Sequence, residues 1–307
     1  MTKNKPRLKS KRRSCLFVPA INKRAMEKTL QLDVDVVIFD LEDSVGIADK
    51  AAAIGNLQQF FKDHQQLPYF ATIRINPVVG KDINELQQVA ALNIDALVLP
   101  KVENIDELDF VYAICKTSAQ RPIPVWAMIE TPKGILAAAS IASHPSVTCL
   151  IVGPNDIALA SGVASVVDEG VVDESVVDEG AVNHGAKRQY LVPWLMQIVL
   201  AAKAYNRRVL DGVFNDYKDL VGFEDECRQA KAMGFDGKTL IHPSQIETAN
   251  VIFQPTLSQV EWAQEIITAF ALPENIGKGV ISLNGKMVED LHLKQAQRIL
   301  ANSSDTR

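Results

Sequence analysis

The sequence predicts an α/β fold: a (β/α)8 TIM barrel over residues 1–253, followed by a C-terminal helical extension over 254–307. Three observations predict it. Eight short runs rich in β-branched and aromatic residues recur along the chain, stretches of helical spacing lie between them, and most runs end in a charged or polar side chain. Strands alternating with helices build parallel sheets, because parallel neighbours need long crossover connections. Eight such units suffice to close the sheet on itself.

The elements follow in order. CLFVP (15–19) is the first strand, and VVIFD (36–40) is a second, continuously apolar one that opens into Asp40, Glu42 and Asp43. ATIRI (71–75) carries Arg74 and leads to Asn76. The helical stretch INELQQVAAL (83–92) separates it from ALVLP (96–100), which leads to Lys101. A helical LDFVYAIC (108–115) precedes VWAMIE (125–130), which ends in Glu130, and CLIVG (149–153) runs into Asn155 and Asp156. After LVPWLMQIVLAAKAY (191–205), a long apolar helix, RVLDG (208–212) holds Asp211 and KTLIHP (238–243) holds His242. Two further helical stretches, 257–271 and 290–301, follow the eighth strand and read as an appendage.

Composition narrows the function. The chain has 307 residues, 47% hydrophobic and 22% charged, and no apolar run approaches the roughly 20 residues a membrane helix needs. Met1 to Arg13 carries seven Lys/Arg, but CLFVPA is too short for a signal core, so the basic start reads as a solvated terminus. The four cysteines (Cys15, Cys115, Cys149, Cys227) form no C-x-x-C pair, which argues against a disulfide framework or a zinc site and for a reducing cytoplasm. After the sixth strand comes an acidic insert, 163–187, containing VVDEGVVDESVVDEG (166–180). Removing its six carboxylates from the net charge of −5 leaves +1 for the remainder, so neither a cationic partner nor a nucleic acid is expected. A five-residue period fits neither helix nor strand, and a loop is expected there.

The polar strand ends are the candidate site, because in such barrels catalytic groups sit at the C-terminal rim. Ser44, Thr131, Asn155 and Ser244 could be helix caps. Caps do not account for an arginine and several carboxylates on one rim, since like charges there repel unless a cation joins them. Glu130 and Asp156 end consecutive strands, about 4.8 Å apart, and can reach one ion. Two carboxylates, waters and substrate oxygens are how Mg²⁺ is usually held, and the absence of a neighbouring histidine argues against zinc.

The stretches RSCLFVPA, VVIFDLEDSV, IRINP, LVLPKVE, IETPKGIL, GPNDIAL, LDGVFNDYKD and GFDGKTLIHPSQI, in this order, resemble the citrate lyase β-subunit-like acyl-CoA lyases, with the malyl-CoA and citramalyl-CoA lyases. The resemblance spans nearly the whole chain apart from the basic start and the acidic insert. It implies a Mg²⁺-dependent carbon–carbon lyase that cleaves a 3-hydroxyacyl-CoA thioester to an acyl-CoA and a 2-oxo acid. By the same resemblance Glu130 and Asp156 bind the metal, Glu130 also faces the substrate, and Arg74 grips the substrate carboxylate or carbonyl. The acids of DLEDSV, Asp43 among them, orient metal-bound water and balance nearby cations. The family's acid–base residue is an Asp in a C-terminal G-x-M-[IV]-D motif, presented by a neighbouring subunit of a trimer. Here NGKMVED places Glu289 at that position, with Asp290 next, so the identity of the group is open. A homotrimer or hexamer is implied.

Three alternatives stand beside this reading. One is a metal-dependent aldolase on free 2-oxo acids, disfavoured because Asp43 replaces the histidine of its D-x-E-H arrangement. A second is a Schiff-base aldolase using Lys101. The third is a citrate lyase β-subunit acting on an acyl-carrier protein within a larger complex.

Overall fold

The structure is a computed structural model and describes residues 11–78, 83–119, 121–163 and 188–303. The acidic repeat 166–180, and residues 1–10 of the basic start, lie outside the described residues. Two compact units divide the chain, a barrel unit of Arg12–Asn250 and a C-terminal unit beginning at Val251.

Eight parallel strands close the barrel in sequence order: β1 (Ser14–Pro19), β2 (Val36–Asp40), β3 (Phe70–Arg74), β4 (Ala96–Leu99), β5 (Val125–Ile129), β6 (Val147–Val152), β7 (Arg208–Asp211) and β8 (Gly237–Leu240). The crossovers carry α1 (Lys23–Lys28), α2 (Lys50–Asp63), α3 (Asn84–Ala90), α4 (Ile105–Ser118), α5 (Pro132–Ser143), α6 (Pro154–Ser161), α7 (Val192–Ala204) and α8 (Leu220–Met233). After β8 the chain continues into α9 (Ile246–Phe253).

Strand residues alternate between the barrel interior and the helix-facing side. Val36, Ile38, Val98, Trp126, Met128, Ile151 and Leu210 fill the interior, with Cys15 and Cys149 among them. All four cysteines are free and buried. The alternation fixes which strand ends reach the centre of the rim: Asp40, Arg74 and Glu130 continue the inward sets of β2, β3 and β5.

Asp211 does not. Leu210 points inward, so Asp211 faces the helices, wholly buried. There it accepts hydrogen bonds from Arg188 Nη1 at 2.9 Å and Lys238 Nζ at 2.6 Å. Lys238 Nζ also reaches Glu226 Oε1 of α8 at 2.6 Å. The charge that strand 7 brings to its end thus belongs to a four-residue ion cluster in the wall, not to the rim.

Arg12 and Arg13, the last two residues of the basic start, are held against the barrel. Arg12 lays its guanidinium 4.8 Å from the Trp126 ring centroid and 5.3 Å from that of Phe70, and the two rings stack on each other. Arg13 is bidentate to Asp35 at 2.8 Å to both oxygens. A solvated terminus is therefore the wrong reading for these two residues: their charges have fixed partners.

In the C-terminal unit, α10 (Leu257–Ala271) and α11 (Asp290–Ser303) take the two expected helical stretches, and between them lies an antiparallel hairpin, β9 (Val280–Leu283) and β10 (Lys286–Glu289). Its two-residue turn, Asn284-Gly285, has φ of 52° and 73°, the left-handed pair that a type I′ turn demands. Ala263, Ile266, Ile281, Val288 and Ala296 form this unit's own core. Among the described residues, no helix is long and apolar enough to cross a membrane.

Candidate active site

Asp40 and Arg74 face each other by register, since β2 and β3 pair residue 40 with residue 74. The pair is bidentate: Nε to Oδ1 at 2.6 Å and Nη2 to Oδ2 at 2.8 Å. The loop beyond β2 folds back on Asp40, whose Oδ1 accepts the Glu42 N–H while Oδ2 accepts the Ser44 N–H and hydroxyl. Burial works against the Asp40 carboxylate, but its bonds to Arg74, Ser44 and Glu42 outweigh that and hold its pKa below the ordinary value. Asp40 is a fixed anchor for the guanidinium, which also lies 4.8 Å from the Phe17 ring centroid.

The remaining edge of Arg74 meets two further acids. Nη1 lies 2.9 Å from Glu42 Oε2 and 3.1 Å from Asp43 Oδ2. Glu42 is buried and Asp43 is 60% exposed, so the two neighbours differ in weight. Burial pushes the Glu42 carboxyl up despite the pull of Arg74. Its Oε2 is buried with no aligned hydrogen-bond donor, although the Arg74 charge is close.

Glu130 sits next to this group and is 2% exposed. Its Oε1 accepts the backbone N–H of Lys101 at 2.7 Å. Its other oxygen lies against Gly153, where an added Cβ would come closer than 3.0 Å. Lys101 has φ of 53°, a left-handed backbone, and its Nζ reaches back to Glu42 Oε1 at 3.1 Å. Partial burial opposes the Lys101 ammonium, but Glu42 outweighs it and raises the pKa. Asp156 is half-buried in the first turn of α6. Burial first, then the charges of Glu42 and Asp156, push the Glu130 carboxyl up to about 7.

Of the sequence-predicted residues, Arg74, Asp43, Glu130 and Asp156 all lie at this rim, as does Lys101. Asp40 and Glu42 carry more of the geometry than Asp43. Sequence alone could have ranked them by the strand's period of two, which turns Asp40 inward. The caps divide: Thr131 is the N-cap of α5, with Oγ1 accepting the Gly134 N–H, but Ser44 binds Asp40, and Asn155 pairs with Asn215. His242, not Ser244, caps the turn after β8, and its ring stacks on Tyr217. Glu289 belongs to the C-terminal unit, where its backbone N–H donates to His292 Nδ1 at 3.0 Å. Asp290, the alternative, pairs with Lys294 at 2.6 Å.

The acids of this rim fit a divalent cation. Burial and the charges of Glu42 and Asp156 raise the Glu130 carboxyl, and Glu42 keeps an oxygen without a donor. Among the described residues no three His, Cys, Asp or Glu come close enough to form a metal cage by themselves. A hard ion such as Mg²⁺ takes one or two carboxylates and completes its shell with water and substrate.

A closed parallel barrel with an arginine and carboxylates at its C-terminal rim defines a (β/α)8-barrel enzyme architecture. More narrowly, the chain belongs to the HpcH/HpaI aldolase/citrate lyase family, whose sequence model matches residues 13–243. It is 36% identical over 295 residues to a (3S)-malyl-CoA thioesterase of Cereibacter sphaeroides, covering 95% of this chain and 94% of that one. It is 30% identical over 296 residues to the mitochondrial citramalyl-CoA lyase of Homo sapiens, covering 93% and 84%. The crystal structure of CitE from Mycobacterium tuberculosis in complex with magnesium, acetoacetate and coenzyme A matches with a TM-score of 0.71 at 29% identity, over 95% of this chain and 98% of that one.

Proposed function

We propose that this protein is a Mg²⁺-dependent carbon–carbon lyase that cleaves a 3-hydroxyacyl-CoA thioester, of the malyl, citramalyl or citryl kind, to an acyl-CoA and a 2-oxo acid. The observation that carries the reading is the rim itself: a buried Arg74 locked to Asp40, and a raised Glu130 carboxyl within electrostatic reach of both Arg74 and Asp156. The relatives that act on malyl-CoA and citramalyl-CoA, and the related CitE bound to magnesium and coenzyme A, support it.

Glu130 and Asp156 would hold the ion, which when bound supplies Lewis-acid polarisation of substrate oxygens. Arg74, kept in place by Asp40, binds the carboxylate of the oxo-acid half and stabilises negative charge as it develops. Asp43 and Glu42 offset the guanidinium charge, and the donor-free oxygen of Glu42 is suited to take the substrate hydroxyl proton. The bond between the carbinol carbon and the thioester α-carbon then breaks, and its electron pair passes to the thioester as an enolate. A carboxyl group must return a proton to the α-carbon. Glu289 takes this role from a second copy of the chain, in a homotrimer or hexamer.

The experiment is a panel of CoA thioesters assayed with and without Mg²⁺ for glyoxylate, pyruvate and oxaloacetate. Mg²⁺-dependent release of one oxo acid is expected, and release of none would contradict the reading. A second reading, hydrolysis of the thioester, is favoured by the 36% identity to a malyl-CoA thioesterase. A Schiff base on Lys101 is disfavoured, because Glu42 holds that amine as ammonium. Action on an acyl-carrier protein would show as turnover of carrier thioesters and none of CoA thioesters.

A further inference from the structure

Lys101 is unusual among the described residues. Of the three non-glycine positions with positive φ, two are asparagines, which tolerate the left-handed region. The third is Lys101, a type for which that backbone costs on the order of 1 kcal/mol or more. The cost falls at a point with two contacts. The N–H of residue 101, just past the end of β4, goes to a side chain, Glu130 Oε1 at 2.7 Å. The same residue's Nζ bonds Glu42 Oε1 at 3.1 Å. One residue thus ties a carboxylate that follows β2 to one that follows β5. On the far side of Glu130, Gly153 leaves no room for retreat.

We propose that Lys101 is a positioning residue: its left-handed backbone, braced by the Nζ–Glu42 pair, engages Oε1 of Glu130 so that Oε2 is the oxygen left to a divalent cation. This rests on the metal reading of the rim. The ammonium itself is not the aiming device, since a cation beside two carboxylates competes with a metal. The backbone is.

Substitutions separate the two. Lys101→Gly, Lys101→Asn, Lys101→Ala and Lys101→Val all remove the ammonium, so its charge effect is common to them. Glycine and asparagine accept the left-handed backbone, alanine does so with strain, and valine resists it. The readout is Mn²⁺ affinity of the substrate-free protein by electron paramagnetic resonance, with circular dichroism and Tm to establish folding. Lys101→Val is expected to bind Mn²⁺ about 10- to 100-fold more weakly than Lys101→Gly, the usual loss when a ligand's supporting contact goes. Lys101→Asn should resemble Lys101→Gly, and Lys101→Ala should lie between. If Lys101→Val does not fold, the order of Gly, Asn and Ala decides. Equal Mn²⁺ affinity across the folded variants overturns the positioning role while leaving the metal reading intact. Wild-type protein that takes up no Mn²⁺ overturns both.

Discussion

A single methyl group at Gly153 tests how tightly the rim is built. Gly153 sits between β6 and α6 with φ of −107°, a backbone that alanine adopts freely, so Gly153→Ala carries no conformational penalty of its own. Its effect is steric. The new Cβ would stand closer than 3.0 Å to both Cβ and Oε2 of Glu130 and 3.3 Å from Cδ. Ordinary carbon contacts lie at about 3.5–4.0 Å, so Glu130 must retreat by at least ~0.5 Å. Rotating the carboxylate relieves only the oxygen. The contact with Cβ persists unless β5 and β6 separate, and both strands are buried here. Overpacking of this kind costs about 1–3 kcal/mol, which leaves the protein folded. The carboxylate displacement matters more, because a misplacement of about 1 Å at a reacting centre costs roughly 10²-fold in rate. Gly153→Ala is therefore expected to keep its circular dichroism spectrum and lose a few degrees of Tm. Mn²⁺ affinity should weaken about tenfold or more and lyase turnover should fall by a larger factor. Wild-type metal affinity and turnover in a folded Gly153→Ala protein would refute the claim that Glu130 is held by this cradle.

Other perturbations address other parts of the account. Glu130, with its carboxyl at about 7 in the fold against an ordinary 4.5, keeps a proton between those pH values that the unfolded chain has released. Metal-free protein should thus lose stability as pH rises through this window and no further above it, and Glu130→Gln should abolish that slope in a pH series of melting curves. Metal uptake requires the carboxylate, so Mn²⁺ affinity should climb up to about pH 7 and then level off; a flat profile from 5 to 8 would contradict the raised value. Lys238→Met leaves Asp211 and Glu226 with Arg188 alone in a buried wall, and denaturant unfolding should show a loss of about 3–5 kcal/mol, whereas a loss below about 1 kcal/mol would mean the cluster is not holding the wall. Glu289→Gln should keep metal and thioester binding but lose about 10²- to 10⁴-fold in turnover, and mixing it with Arg74→Ala subunits should restore some activity. Mixed oligomers that regain none would show that Glu289 does not act across an interface, and a crippling Asp290→Asn would move the role by one residue.

The barrel was legible because each strand carries its own signal. VVIFD matches β2 residue for residue, and the other runs fall within a few residues of their strands. The candidate site was legible in its members and less so in its organisation. Side-chain alternation places Asp40, Arg74 and Glu130 inward, but the same rule sends Asp211 outward to Arg188 and Lys238, and ranking strand ends by polarity alone lost that distinction. The ion cluster depends on a lysine inside a strand and an arginine far away in sequence, a pairing that no local pattern announces. Lys101's left-handed backbone is equally silent, because lysine is not a residue that advertises it. The β9–β10 hairpin is legible in principle, because Asn284-Gly285 between VISL and KMVE is a strong two-residue turn signal between the two helical stretches.

A carbon–carbon lyase and a thioester hydrolase would leave different products at this rim. The most direct measurement takes whichever thioester the protein turns over with Mg²⁺ and quantifies two products in one reaction, the 2-oxo acid by hydrazone formation and the free coenzyme A thiol by disulfide exchange. One oxo acid per thioester consumed, intact acyl-CoA and no free thiol are expected. One free thiol per thioester consumed, with a hydroxy acid and no oxo acid, would contradict the lyase reading.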